Sequence, residues 1–220
     1  MDVDNILKLK VCLIGNTNVG KSSILHRINH SDLHSCEKNH PTIGAGFLSM
    51  ITNIDGHEIN FHIWDTAGQE RFESLVPLYF RETKIYMVVF DMNNYDSWKN
   101  VDRWIDMINE HSNTNNEDVF AIVLIGNKND LPSNVPQKEI DDYITEKGIN
   151  YTSVSAKTMK TQEIVDQCIS VGYLQYSKEL AKNPQLNENE SGNGSTNSTN
   201  SIRLDTSKKT KCSNTIKCAK

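Results

Sequence analysis

The stretch Gly15-Asn16-Thr17-Asn18-Val19-Gly20-Lys21-Ser22 constrains this chain most, because it follows the apolar run Val11-Cys12-Leu13-Ile14 and precedes Ser23-Ile24-Leu25. That order reads as strand, glycine turn, helix start. Glycines let backbone N–H groups converge on phosphate oxygens, Lys21 supplies a compact positive charge, and the Ser22 hydroxyl is a magnesium ligand. The spacing is that of a Walker A loop, with Gly15, Asn18, Val19, Gly20, Lys21, Ser22 and Ser23 as the candidate phosphate-binding residues. The competing reading of so short a pattern is a plain glycine turn.

Further along, Asn127-Lys128-Asn129-Asp130 follows the apolar run Val119 to Ile125, where a central strand would end over a ligand crevice. Guanine is the base that fits. The Asp130 carboxylate can accept from its ring N–H and exocyclic amine, whereas adenine would leave that charge unpaired. Asn127 and Lys128 join it as candidate guanine-binding residues. Ser155-Ala156-Lys157, after the strand-like Tyr151 to Val154, adds a backbone donor for the guanine oxygen and a lysine stem over the ring. Taken singly, that tripeptide reads as a surface turn; its order with the other motifs makes it a site.

Between these anchors lies Trp64-Asp65-Thr66-Ala67-Gly68-Gln69-Glu70-Arg71-Phe72. Asp65 is placed to hold magnesium through water, the Gly68 N–H to meet a γ-phosphate, and the Gln69 amide to orient an attacking water. Upstream, Thr42 in Pro41-Thr42-Ile43-Gly44 offers a second hydroxyl for the metal. Gln69, Lys21 and Thr42 are accordingly the candidate catalytic residues.

Together these motifs, in order over residues 7 to 181, resemble a small GTPase of the Ras superfamily, and Thr42-Ile43-Gly44 with Trp64 to Phe72 is most similar to the Rab family. The resemblance implies GTP/GDP and magnesium as cofactors, and switch segments around Thr42 and from Gly68 to about Arg81 that order with γ-phosphate. It implies an exchange factor, a GTPase-activating protein, escort and dissociation-inhibitor proteins, and effectors read through Ile43, Gly44, Phe47, Trp64 and Tyr79. Vesicle trafficking comes with the resemblance, as does a monomer in the cytoplasm that cycles onto the cytosolic face of endomembranes. Alternation puts Ile59, Phe61 and Ile63 on one strand face and His62 and Trp64 on the other, so Trp64 is either a contact surface or core beneath the second switch.

The expected fold is a single α/β P-loop GTPase domain over residues 1–182: a six-stranded, mostly parallel sheet with one antiparallel edge hairpin and helices on both faces. Strands are expected near 7–14, 46–54, 58–64, 84–91, 119–125 and 150–154, and helices near 21–29, 70–80, 97–111, 137–147 and 161–181. Asp55-Gly56 turns the hairpin. Met1-Asp2-Val3-Asp4 is acidic where a secretory signal would be basic, and no apolar run nears the ~20 residues of a membrane span.

Beyond Asn183 the sequence turns to Asn, Ser, Thr, Glu and Gly, which cannot offset the entropy of ordering, so residues 183–220 are expected to form a disordered hypervariable tail. That tail has six basic and three acidic side chains; the whole chain stands at −5, which leaves −8 for residues 1–182. An acidic body argues against nucleic acid as a partner. Lys208, Lys209, Lys211, Lys217 and Lys220 surround Cys212 and Cys218, a basic patch suited to an anionic leaflet or simply a solvated end. The resemblance implies lipidation at Cys218, with Cys212 as a second candidate, although the ending is neither a cysteine pair nor a C-a-a-X box. Cys12 and Cys168 read as small buried hydrophobes.

Two departures from the family bear on mechanism. Leu33 stands where an aromatic usually lies edge-on to the guanine, and residues 23 to 42 run about two residues long without the usual tyrosine, so faster nucleotide release and a looser first switch are expected. A second hypothesis is therefore a nucleotide-stabilised binding module that hydrolyses weakly, and a third, a P-loop kinase or ATPase, is disfavoured by Asp130.

Overall fold

A computed structural model describes residues 6–29, 42, 45–68, 70–112, 119–182 and 217–218. Strand β1 (Leu7–Ile14) runs into α1 (Lys21–Asn29), then β2 (Ala45–Ile54) and β3 (His57–Thr66) form the hairpin. There follow β4 (Thr83–Asp91), α2 (Tyr95–Lys99), α3 (Val101–Ser112), β5 (Ala121–Asn127), α4 (Gln137–Lys147), β6 (Asn150–Ser153), α5 (Thr161–Ile164) and α6 (Val171–Lys182).

The sheet order is β6-β5-β4-β1-β3-β2. Every neighbouring pair in it is parallel except β2 with β3. The six-stranded, mostly parallel sheet read from the motifs is thus present. A two-residue strand, β7 (Lys217–Cys218), pairs antiparallel with Met50 and Ile51 at the β2 edge; the rest of the tail lies outside the described residues. The hairpin turns through Asp55 (φ 52°) and Gly56 (φ 88°), both left-handed, which is what a two-residue turn of the primed type needs.

Two apolar layers flank the sheet. On one face Leu9, Val11, Leu13, Phe61, Met87 and Ile125 meet α1, α5 and α6. On the other, Cys12, Ile14, Tyr86, Val88, Phe90 and Leu124 meet α2, α3 and α4. Strand β4 is buried at every position but Lys84 because both faces are covered. Each fully buried aliphatic chain contributes about 1.5–3 kcal/mol, so these layers are what hold the loops above them in place.

Three helical expectations are refined. The segment Glu70–Tyr79 is a 3₁₀ helix rather than an α-helix, and it contains Pro77, which cannot donate its share of an α-helical ladder. The helix expected over 97–111 is two, divided at Asn100; Asn94 starts the first, its side chain accepting from the N–H groups of Asp96 and Ser97. The last helix contains a π-turn, Val165–Ser170, between α5 and α6. Besides Ser170 and Gln175, its buried positions fall at Ile164/Val165, Cys168/Ile169, Gly172/Tyr173 and Tyr176. Steps of four would drift around a 3.6-residue helix, and one wider turn returns them to the sheet.

Because β1 is central, with β3 on one side and β4 on the other, the loop leaving its C-terminal end sits where the chain order reverses. Ligands of open parallel sheets bind there.

Candidate functional site

The turn from Gly15 to Gly20 wraps the end of β1, and its lysine is already engaged. Lys21 Nζ donates to the carbonyls of Gly15 (2.7 Å) and Asn16 (2.8 Å). Burial pushes its ammonium down to about 8, partly countered by the Asp65 carboxylate. Asn18 takes a left-handed φ of 61°, a conformation asparagine tolerates. Ser22 and Ser23 occupy the first turn of α1, which opens with Ile24 N–H donating to Gly20 O at 2.9 Å.

Oxygen donors gather beside it. Ser22 Oγ lies 2.8 Å from Thr42 Oγ1 and donates to Asp65 Oδ2 at 2.5 Å, while Thr42 Oγ1 stands 3.4 Å from the same carboxylate oxygen. Asp65 is 2% exposed and its other oxygen, Oδ1, is buried with no hydrogen-bond partner. Desolvation raises the pKa of this carboxylate, with the Ser22 hydrogen bond the largest opposing influence. An orphaned buried carboxylate oxygen among hydroxyls is costly unless a cation completes it. The set is all oxygen with a single carboxylate, which suits magnesium held through waters and substrate phosphates. Among the described residues no group of three or more His, Cys, Asp or Glu side chains forms an all-protein cage.

Gly68, at the end of β3, presses against the turn. A Cβ there would sit 2.3 Å from Lys21 Nζ and 2.6 Å from Asn16 O, so only glycine brings this N–H so close to the phosphate cradle. Gln69 lies outside the described residues, as do Ile43 and Gly44, Leu33 with most of the lengthened segment between α1 and β2, and Cys212.

At the other end of the crevice, Asn127 closes β5. Its Nδ2 donates to Val19 O at 2.8 Å and its Oδ1 accepts from Ala156 N–H at 3.1 Å, so one buried amide joins the phosphate turn to the Ser155-Ala156-Lys157 loop. Gly20 leaves room for that amide, since a Cβ would fall 2.1 Å from Asn127 Nδ2. Lys128 is left-handed (φ 65°) and its ammonium pairs with Asp91 Oδ2 at 2.7 Å. Asp130 is exposed, and its Oδ1 accepts from Ser155 Oγ at 2.6 Å. Ser155 and Ala156 are buried while Lys157 reaches solvent.

Phe47, Trp64 and Tyr79 form a continuous aromatic row, with ring centroids 5.1 Å and 5.6 Å apart. Trp64 is half-buried, Phe47 is 53% exposed, and Leu78 beside the row is 72% exposed. Ile59, Phe61 and Ile63 are buried on the opposite face, as alternation requires. Lys10 Nζ stands 5.5 Å from the Trp64 ring.

Three residues of the crevice escaped the sequence reading. Arg27 is a charge on the apolar stripe of α1, Trp104 reaches Asn16 from α3, and Asp91 anchors Lys128. Only Arg27 left a signal, because Ile24 and Ile28 flank it on one helical face.

A model of the Ras family matches residues 10–171. The human Ras-related protein Rab-31 is 36% identical over 195 residues, which is 87% of this chain and 91% of that relative. The GTP-binding proteins YPT53 and YPT52 of Saccharomyces cerevisiae are 38% and 33% identical, covering 69% and 94% of this chain and 70% and 99% of their own lengths. With the glycine turn, the oxygen cluster and the base loop arranged around one crevice, the chain belongs to the Ras family, on its Rab branch.

Proposed function

We propose that this protein is a GTP-hydrolysing molecular switch of vesicle traffic, which recruits effectors in its GTP state and releases them after hydrolysis. The chain is a small GTPase that uses GTP, GDP and magnesium. One observation carries the reading of the site. The Ser22 and Thr42 hydroxyls gather at Oδ2 of Asp65, whose other oxygen, Oδ1, is buried without a partner, and Lys21 lies beside this carboxylate.

A magnesium ion bound there would neutralise charge on the phosphate oxygens. Ser22 and Thr42 would hold it directly and Asp65 through water. Lys21 stabilises the β- and γ-oxygens, and the Gly68 N–H meets the γ-phosphate. Gln69 orients the attacking water, so catalysis is chiefly positioning and charge stabilisation. Asp130 reads the guanine edge while a backbone N–H of the Ser155-Ala156-Lys157 loop donates to its oxygen. Turnover without help is slow, and an arginine supplied by an activating protein accelerates it by roughly a thousandfold or more.

Regulators and effectors are the kinds of partner this family meets, and the row Phe47-Trp64-Tyr79 is the proposed effector-reading surface. Attachment to the cytosolic face of endomembranes would run through a lipid on Cys218, with Cys212 as a second candidate; among the described residues no helix is long and apolar enough to cross a membrane. The decisive test has two arms. Calorimetry of the magnesium-loaded protein should show a strong preference for guanosine over adenosine nucleotides, and Gln69→Leu should keep GTP binding while losing most stimulated hydrolysis. Equal affinity for the two purines sinks base recognition, and an unchanged single-turnover rate sinks the role of Gln69.

A further inference from the structure

Arg27 is 1% exposed, the largest fully buried polar side chain of α1, and it lies between Ile24 and Ile28 on the face turned toward the core. A buried guanidinium needs a reason. Its Nε donates to Ala156 O at 3.0 Å and its Nη2 to Lys157 O at 2.9 Å, so two consecutive carbonyls of the base loop are taken by one planar fork. Thr161, which opens α5, donates its hydroxyl to the Arg27 carbonyl at 2.9 Å and fastens the same junction from the other side.

From this arrangement we infer that Arg27 is a positioning residue for guanine recognition, fixing the Ser155–Lys157 loop to the helix that begins at the phosphate site. The inference rests on the guanine-binding role proposed above for that loop. That loop is the proposed source of the backbone donor for the guanine oxygen, and the carbonyls of Ala156 and Lys157 are the groups the guanidinium holds. The Ala156 N–H donates to Asn127 Oδ1 at 3.1 Å, so the same loop is tied to the end of β5 as well as to α1. Six residues separate Lys21 from Arg27, about 9 Å along a rigid helix, so the distance between phosphate and base anchors is set within one element. A lysine at this place would carry the charge but not the fork, and glutamine would carry neither.

The test measures dissociation constants for GDP, 6-thio-GDP and ADP by competition against a fluorescent GDP, using full-length, magnesium-loaded wild type, Arg27→Lys and Arg27→Gln. Sulfur in place of oxygen chiefly weakens the contact made by the loop N–H and keeps both donors of the edge that faces Asp130. Wild type is expected to prefer GDP. Arg27→Gln should weaken GDP about tenfold and 6-thio-GDP clearly less, so the ratio between them falls toward one. Arg27→Lys should fall between, and it keeps the test open should the glutamine variant not fold. Equal weakening of both nucleotides, as a merely structural role would give, overturns the inference; so does an unchanged ratio, or a wild type indifferent to the sulfur. A wild type that fails to distinguish GDP from ADP would instead overturn the proposed function, leaving the two failures distinguishable.

Discussion

The indole Nε1 of Trp104 donates to Asn16 Oδ1 at 2.7 Å, across 88 residues of sequence, and ties α3 to the phosphate turn. The same Asn16 offers its backbone carbonyl to Lys21. Trp104→Phe keeps most of the buried ring and loses the donor, so GDP release should quicken up to about tenfold with little change in the fold. Asn16→Ala should do likewise, and the double variant should be no worse than either alone. Stopped-flow release of a fluorescent GDP checks this; additive effects would show that the two side chains act separately.

Gly68 has no room for a side chain. With Lys21 Nζ and Asn16 O within 2.3 Å and 2.6 Å of a built Cβ, Gly68→Ala must push either the lysine or the end of β3 aside. GDP affinity should fall much less, since the base loop is distant, while GTP hydrolysis should drop by a hundredfold or so. Single-turnover phosphate release alongside GDP titration reads the split, and a parallel loss of both would place the strain elsewhere.

His62 shares the aromatic face, with its ring 5.6 Å from that of Phe47. Partial burial, with Lys8 nearby, holds its imidazole below the ordinary 6.5. As pH falls past about 6.5 the unfolded chain binds this proton before the native chain does, so the stability present above that value is lost as pH falls through the native pKa. His62→Gln should flatten the stability profile over that window, measured by urea unfolding from pH 7.5 downward. Proton-detected titration of the ring should give a midpoint below 6.5; one at or above it contradicts the assignment.

Burial pushes the thiols of both Cys12 and Cys168 up to about 12. Of the five cysteines, these two should therefore stay silent toward a thiol reagent at pH 8 in the native protein and react once it is unfolded. Rapid labelling of either in the folded state would show that the strand or the last helix opens locally.

Much of the crevice was readable because its chemistry is written in contiguous motifs. Ser22, Asp65 and Asn127 each stand at the end of an apolar strand or the start of a helix, and the sheet that follows from those strands brings them together. Trp104 was not readable, because it acts through a partner 88 residues away, and Arg27 showed only as a charge on an apolar stripe whose partner loop lies 129 residues on. The π-turn at Val165–Ser170 escaped for a related reason: apolar spacing of four is compatible with an ordinary helix until the sheet beneath demands one face. Gln69, proposed to orient the attacking water, is read from its motif alone.

A single amide bridges both anchors of the crevice, with Asn127 grasping Val19 on one side and Ala156 on the other. Disturbing either end therefore transmits to its counterpart. On the proposed roles of these loops, an exchange catalyst prying at the polyphosphate half would slacken the purine half through this one amide, so that the nucleotide would leave in one motion rather than two.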